Sequence, residues 1–126
     1  MGKRVLLAED EPNIIESITF LLERAGFAVS VEKDGRAALD AVLRDCPDVL
    51  ILDVMLPSLD GYEILRQLRA DANCAELPIL MLTAKGQRED RETAFEHGAD
   101  LFITKPFANA EIIAAVETLM EGRSSV

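Results

Sequence analysis

Asp53 follows a run of four apolar residues, 49–52, whose pattern predicts a fully buried strand. Because an ionised carboxylate is costly to bury, we expect Asp53 at the point where that strand surfaces. An earlier apolar run, residues 5–8, leads directly into Glu9 and Asp10. Carboxylates that follow two strands are candidates for metal binding and for attack as an oxygen nucleophile.

Two later apolar runs end in other polar groups. Residues 78–82 lead to Thr83, and residues 101–103 lead to Thr104 and Lys105. If these strands are parallel neighbours, the hydroxyl and the ammonium meet the carboxylates at one edge of a sheet. Three carboxylates about 5 Å apart would repel by about 3 kcal/mol per pair at an effective dielectric constant of about 20. Mg²⁺ and the lysine would offset that repulsion, and together these groups suit phosphoryl transfer to an aspartate.

The elements that position these residues alternate between strands and helices along the chain. Helical periodicity after each predicted strand is bounded by a stop at Gly26, a cap at Asp34, and a capping box at Asp60 and Glu63. Five strand–helix units predict an α/β fold of the flavodoxin-like type, a doubly wound five-stranded parallel sheet with helices on both faces.

The strand order follows from the character of the strands. The second strand, residues 28–31, is short and partly polar and suits an edge, whereas the first and third are apolar and suit the centre. The order 2-1-3-4-5 satisfies both, and right-handed crossovers then place the first and last helices on one face. In that order the crevice lies at the carboxyl ends of strands 1 and 3, where the acidic residues are.

Composition narrows the class of protein. We expect one domain over residues 1–126, ordered over about residues 3–121, with a frayed tail at 122–126. The net charge of −10 argues against nucleic-acid binding by this chain. The apolar runs are too short for a membrane span or a signal peptide, so we expect a cytoplasmic protein. Cys46 and Cys74 lack a metal-binding spacing and are expected to be reduced, without a special role.

Four short segments resemble the receiver domains of bacterial two-component response regulators. They are residues 7–12, residues 53–57 with Asp60 and Gly61, Thr83 with Ala84, and residues 105–107. Together they cover essentially the whole chain. The resemblance implies a chemotaxis-regulator-like receiver fold and a phosphoacceptor switch that works in phosphorelay signal transduction, rather than an enzyme that turns over a free substrate.

The resemblance also implies roles for the site residues. Asp53 would accept a phosphoryl group, as a 4-aspartylphosphate, from a phosphohistidine on a sensor histidine kinase or a histidine phosphotransfer protein. Asp10, Asp53 and the backbone carbonyl of Met55 would bind Mg²⁺. Glu9 stands where aspartate is commoner and would act mainly through water. Self-phosphorylation from phosphodonors and autodephosphorylation would both take place at this site, and Lys105 would pair with the phosphoryl group.

A switch is implied beside the acceptor. Thr83 would hydrogen-bond the phosphoryl group, and Phe102, where tyrosine is common, would respond. The output face is here defined as the predicted fourth helix (residues 87–97), the fifth strand and the last helix. It would bind a downstream protein or an output domain outside this chain, and a homodimer through it is a further expectation. The bond between Lys105 and Pro106 resembles the family's cis peptide.

Two other functions remain open at this point. An aspartate-nucleophile phosphatase on a related fold would need a second acid two residues after Asp53, but Met55 stands there and a thioether cannot donate a proton. An inert interaction module would keep the fold without phosphorylation, but the metal ligands, the acceptor and Lys105 are all present.

Overall fold

The computed structural model describes residues 3–83 and 95–124, with side-chain surroundings up to residue 121. In this part the chain forms five strands and four helices. They are β1 (Arg4–Ala8), α1 (Pro12–Arg24), β2 (Ala28–Glu32), α2 (Gly35–Arg44), β3 (Val49–Asp53), α3 (Gly61–Ala70), β4 (Ile79–Thr83), β5 (Leu101–Thr104) and α4 (Asn109–Ser124). The predicted helix at residues 87–97 lies mostly outside the described residues, and its last part, at residues 95–96, is helical.

All five strands are parallel neighbours in one sheet of order β2-β1-β3-β4-β5, which confirms the predicted fold class and strand order. Every residue of β3 is buried, whereas no residue of β2 is fully buried. The apolar strand therefore occupies the centre and the partly polar strand the edge, as their compositions predict. The register sets Asp53 beside Leu82 and Thr83 beside Thr104, so the polar strand ends are aligned.

Alternate residues of the buried strands serve two separate cores. Leu50 and Leu52 pack with residues of α2 and α3 on one face of the sheet. Val49 and Ile51 pack with residues of α1 and α4 on the other. Right-handed crossovers predict this division of the helices between the two faces. In the described part of the chain, no helix is both long and apolar enough to cross a membrane.

The predicted helix boundaries have local causes. After α1, Gly26 adopts a φ of 98°, a left-handed conformation that favours glycine. The carboxylate of Asp34 accepts a hydrogen bond from the backbone N–H of Ala37 at 3.0 Å and so caps α2. That helix ends at Arg44, ahead of Pro47. These signals fix where the connections between strands begin and end.

The predicted capping box of α3 forms only in part. Asp60 accepts a hydrogen bond from the backbone N–H of Glu63 at 3.0 Å, as expected for an N-cap. The carboxylate of Glu63 does not complete the box among the described contacts, because it binds the side chains of Arg66 and Gln67 one turn later. Competing partners within the helix explain the difference.

Candidate functional site

The predicted site residues converge at the carboxyl edge of the sheet. Glu9 follows β1, Asp53 ends β3, Thr83 ends β4 and Lys105 follows β5. Carboxylate oxygens of Glu9, Asp10 and Asp53 all lie within 4.8 Å of one another. The parallel topology thus brings together groups that are far apart in the sequence.

Asp53 is more deeply placed than the sequence suggests. It is the last residue of its strand, as predicted, but only 3% of it is exposed, so the expectation that it surfaces there is wrong. Its Oδ2 lies 3.2 Å from Nζ of Lys105, and its Oδ1 accepts a hydrogen bond from the backbone N–H of Met55 at 3.2 Å. A cation and a backbone donor offset the cost of burial, and they fix the orientation of the carboxylate.

Glu9 is fully buried beside this carboxylate. Its Oε2 accepts a hydrogen bond from the backbone N–H of Glu11 at 3.0 Å. Its Oε1 lies 3.1 Å from Nζ of Lys105, an electrostatic contact, and no described residue donates a hydrogen bond to it. Burial, and next the charge of Asp53, raise the pKa of Glu9 to about 7. The site therefore holds more negative charge than its lysine compensates.

Lys105 faces both buried carboxylates. Burial works against the charged ammonium, but the charges of Asp53 and Glu9 prevail and raise the pKa of Lys105 above its ordinary value. The backbone N–H of Lys105 donates to the carbonyl of Thr83 at 2.7 Å and ties the ends of β4 and β5 together. The peptide bond to Pro106 is cis, as expected.

The residues present fit a divalent cation. Asp10 is exposed and offers a carboxylate beside two buried ones. Among the described contacts, Glu9 and Asp53 share one cation, the ammonium of Lys105, so negative charge is left for a metal ion to offset. Mg²⁺ favours carboxylate oxygens and keeps several waters, which an open edge with one exposed ligand allows.

Three further predicted residues lie around this cluster. Thr83 is buried at the end of β4. Met55 is 71% exposed and its backbone N–H contacts the carboxylate of Asp53, so the position that would hold a second acid in a phosphatase faces solvent. Phe102 is half-buried against the core on the α2–α3 side, with its ring centroid 6.3 Å from that of Phe95.

A network in the loop after β3 was not predicted. Ser58, at a φ of 68°, donates its hydroxyl to Asp34 at 2.9 Å and accepts from the backbone N–H of Arg36 at 3.2 Å. The backbone N–H of Gly35 donates to the carbonyl of Pro57 at 2.9 Å. The start of α2 thereby holds the loop that follows Asp53. The contacts join residues 22 to 24 apart, so local sequence patterns do not reveal them.

Two other clusters were also missed by sequence reasoning. Arg69 donates to the carbonyls of Leu77 and Gly98 and pairs with Asp100 at 3.0 Å, so α3 holds the turns before β4 and β5. An arginine on a helix gives no sequence signal of such a role. The thiols of Cys46 and Cys74 are free, as expected, but their sulfur atoms lie 3.3 Å apart. Sequence reasoning did not predict that the two cysteines are in contact.

Comparison with known proteins assigns the chain to a family. The family model described as the response regulator receiver domain matches residues 5–117. The chain is a response regulator receiver domain. It shares the family's function, that of a phosphoacceptor signalling switch in two-component systems.

Relatives of this receiver domain include two transcriptional regulators. The chain is 42% identical over 120 residues to the alkaline phosphatase synthesis transcriptional regulatory protein PhoP of Bacillus subtilis, covering 95% of this chain and 49% of that protein. It is 38% identical over 120 residues to the phosphate regulon transcriptional regulatory protein PhoB of Escherichia coli, covering 95% and 52%. The receiver domain thus spans about half the length of these curated relatives.

A solved structure resembles the fold. The receiver domain of the sensor histidine kinase PA1611 from Pseudomonas aeruginosa superposes with a TM-score of 0.88 at 33% identity, covering 96% of this chain and 99% of that one. In that protein a magnesium ion is coordinated in the active site cleft.

Proposed function

We propose that Asp53 is the phosphoacceptor of this receiver domain and that the donor is a phosphohistidine on a sensor histidine kinase or a histidine phosphotransfer protein. The observation that carries the proposal is the contact of the Asp53 carboxylate with the ammonium of Lys105, 3.2 Å apart, within a cluster of acidic side chains. A buried carboxylate with a fixed orientation and an adjacent cation is suited to attack on phosphorus.

The residues around the acceptor have separate tasks in the transfer. A bond forms between phosphorus and an oxygen of Asp53 while the bond from phosphorus to the donor breaks, and the leaving group departs with its electron pair. Lys105 offsets the charge of the transferred oxygens. Thr83, at the end of the neighbouring strand, is the hydroxyl donor for the phosphoryl group in this proposal.

Mg²⁺ is the proposed cofactor. The carboxylates of Asp10 and Asp53 and the backbone carbonyl of Met55 would hold the ion, and Glu9 would act through water. Mg²⁺ would neutralise charge on the phosphoryl oxygens and keep the reacting atoms in line. Two buried carboxylates, Glu9 and Asp53, share the ammonium of Lys105, and their excess negative charge supports this assignment.

Phosphorylation can be tested directly. The protein is incubated with Mg²⁺ and acetyl phosphate, or with beryllofluoride as a mimic, beside Asp53→Asn and the control Asp40→Asn, which removes an exposed carboxylate from α2. We expect a stoichiometric, hydrolysable adduct on the wild type and on Asp40→Asn, and none on Asp53→Asn. Rapid turnover of many phosphomonoesters would indicate a phosphatase, and a complete lack of adduct would indicate an inert module.

We further propose that the signal leaves through the output face. Thr83 and Phe102 would act as the switch, because they stand on the neighbouring strands β4 and β5, and β5 is itself part of this face. A phosphoryl group that draws Thr83 inward would shift a pre-existing equilibrium there. Amide hydrogen exchange in residues 84–107 should change when beryllofluoride is added, and unchanged exchange there would contradict this route.

The proposed partners of this domain act before and after the transfer of the phosphoryl group. A sensor kinase or phosphotransfer protein supplies the phosphoryl group, and a downstream protein or an output domain outside this chain receives the signal. The transcriptional regulators that match this chain are about twice its length, which supports an output domain outside this chain as the receiver of the signal. We propose that this domain acts in the cytoplasm, can dimerise through the output face, and does not itself bind nucleic acid, given its net charge of −10.

A further inference from the structure

Two cysteines meet at the amino edge of the sheet, opposite the acceptor. Cys46 lies between α2 and β3, and Cys74 lies between α3 and β4, 28 residues later. Their sulfur atoms are 3.3 Å apart. Cys74 is buried, whereas Cys46 is half-buried and lines a surface groove of about 460 Å³. A small molecule in that groove therefore meets Cys46 and not Cys74.

Both cysteine backbones are held in place from elsewhere in the fold. The guanidinium of Arg4 donates to the carbonyl of Cys46 at 2.6 Å and pairs with Asp45 at 2.8 Å. The guanidinium of Arg69 donates to the carbonyls of the segment that carries Cys74, including Leu77 at 2.8 Å. The two segments thus present their thiols to each other in a fixed relation.

The strands that follow the two cysteine segments also hold these segments close to each other. The backbone N–H of Leu50 in β3 donates to the carbonyl of Pro78, which precedes β4, at 3.0 Å. A disulfide needs sulfur atoms about 2 Å apart. The observed separation of the two sulfur atoms exceeds that length by a little over 1 Å.

We propose that Cys46 and Cys74 form a reversible intramolecular disulfide by exchange with small-molecule disulfides. The sulfur of Cys46, as thiolate, attacks one sulfur of the small disulfide, whose own S–S bond breaks and releases a thiolate. The sulfur of Cys74 then loses its proton to solvent and attacks the sulfur of Cys46, and the second small thiolate leaves. Two protein thiols are oxidised by two electrons, and one small disulfide is reduced to two thiols.

The order of the two steps follows from the surroundings of each thiol. Burial, and next the contact with Cys46, raise the pKa of Cys74 to about 12, so little of it is thiolate near neutral pH. Cys74 is thus a poor first nucleophile, and it reacts second because the mixed disulfide forms within its reach. The resulting bond would join the segments that lead into β3 and β4, the strands that end at Asp53 and Thr83.

The experiment equilibrates the full chain in oxidised and reduced glutathione at several ratios, with acid quenching, intact-mass measurement and peptide mapping. The wild type should lose the mass of two hydrogen atoms and carry no glutathione. Cys74→Ala should keep one glutathione on Cys46, and Cys46→Ser should remain unmodified. Melting curves confirm that both variants are folded.

A second measurement uses the wild type alone and tests the proposed disulfide even if a variant fails to fold. The ratio of intramolecular to mixed disulfide should be at least about tenfold higher in the native protein than in denaturant, because only the native fold holds the thiols together. A stable mixed disulfide on Cys46 of the native wild type, a dimer linked through Cys46, or two unreacted thiols would each overturn the proposal.

Discussion

The carboxylate of Glu9 has a single described cation, Lys105, to offset its charge, and that cation also serves Asp53. Burial, and next the charge of Asp53, make ionised Glu9 unfavourable in the fold when no metal is bound and raise its pKa from 4.5 to about 7. In the unfolded chain this carboxyl ionises near its ordinary pKa. The unfolded state then binds fewer protons between these two values, and stability falls as pH rises through that window.

We predict that Glu9→Gln stabilises the domain in the presence of EDTA. The increase in the free energy of unfolding should grow between pH 4.5 and about 7, the two pKa values of Glu9. It should then level off at about 1–3 kcal/mol. Urea denaturation at several pH values measures it, with Glu16→Gln on the exposed surface of α1 as the control. With Mg²⁺ the gain should shrink. A Glu9→Gln protein less stable than the wild type in EDTA at pH 8 would show that the contact with Lys105 outweighs the repulsion.

At the scale of elements, glycine sets how closely α3 approaches the end of β3. A Cβ on Gly61 would lie 2.5 Å from the carbonyl oxygen of Asp53 and 2.9 Å from Cα of Val54. The backbone N–H of Gly61 also donates to the carbonyl of Val54 at 2.8 Å. The start of α3 is therefore packed directly against the backbone of Asp53.

Gly61→Ala should impair both stability and phosphorylation. The clash is with backbone, which cannot move aside, so we expect a loss of about 2 kcal/mol or more and a slower reaction of Asp53 with acetyl phosphate. Gly26→Ala is the matched control: its Cβ meets no atom within 4 Å, but φ is 98°. It should cost about 1 kcal/mol through backbone strain and leave the phosphorylation rate unchanged. Equal phosphorylation rates in both variants would mean that α3 does not position the acceptor.

At the scale of the whole molecule, the sequence is sufficient to predict the strand order and the edge of the sheet that holds the site. Apolar runs identify β1 and β3 as central, and parallel strands place their carboxyl ends together. The burial of Glu9 and the contact of Cys46 with Cys74 were not predictable in this way. Both depend on how side chains from distant segments pack, and local patterns carry no information on that.

The same packing couples metal binding to the stability of the whole domain. A ligand that binds only the folded state stabilises it by an amount set by its concentration relative to Kd, about 2.7 kcal/mol at a hundredfold excess. The three carboxylates converge only when β1 and β3 are paired, so the unfolded chain has no comparable site. Mg²⁺ should therefore raise the melting temperature of the domain in a saturable way.

Asp10 offers the sharpest test of that coupling because its carboxylate is the exposed member of the cluster, so its replacement disturbs packing least. We predict that Asp10→Asn loses most of the Mg²⁺-dependent stabilisation while Asp40→Asn, which removes the same charge from the exposed surface of α2, retains it. Thermal unfolding at constant ionic strength, with NaCl replacing MgCl₂, separates specific binding from screening. If Mg²⁺ raises the melting temperature of both variants by a similar amount, the stabilisation comes from general screening of the net charge of −10 and not from binding at this site.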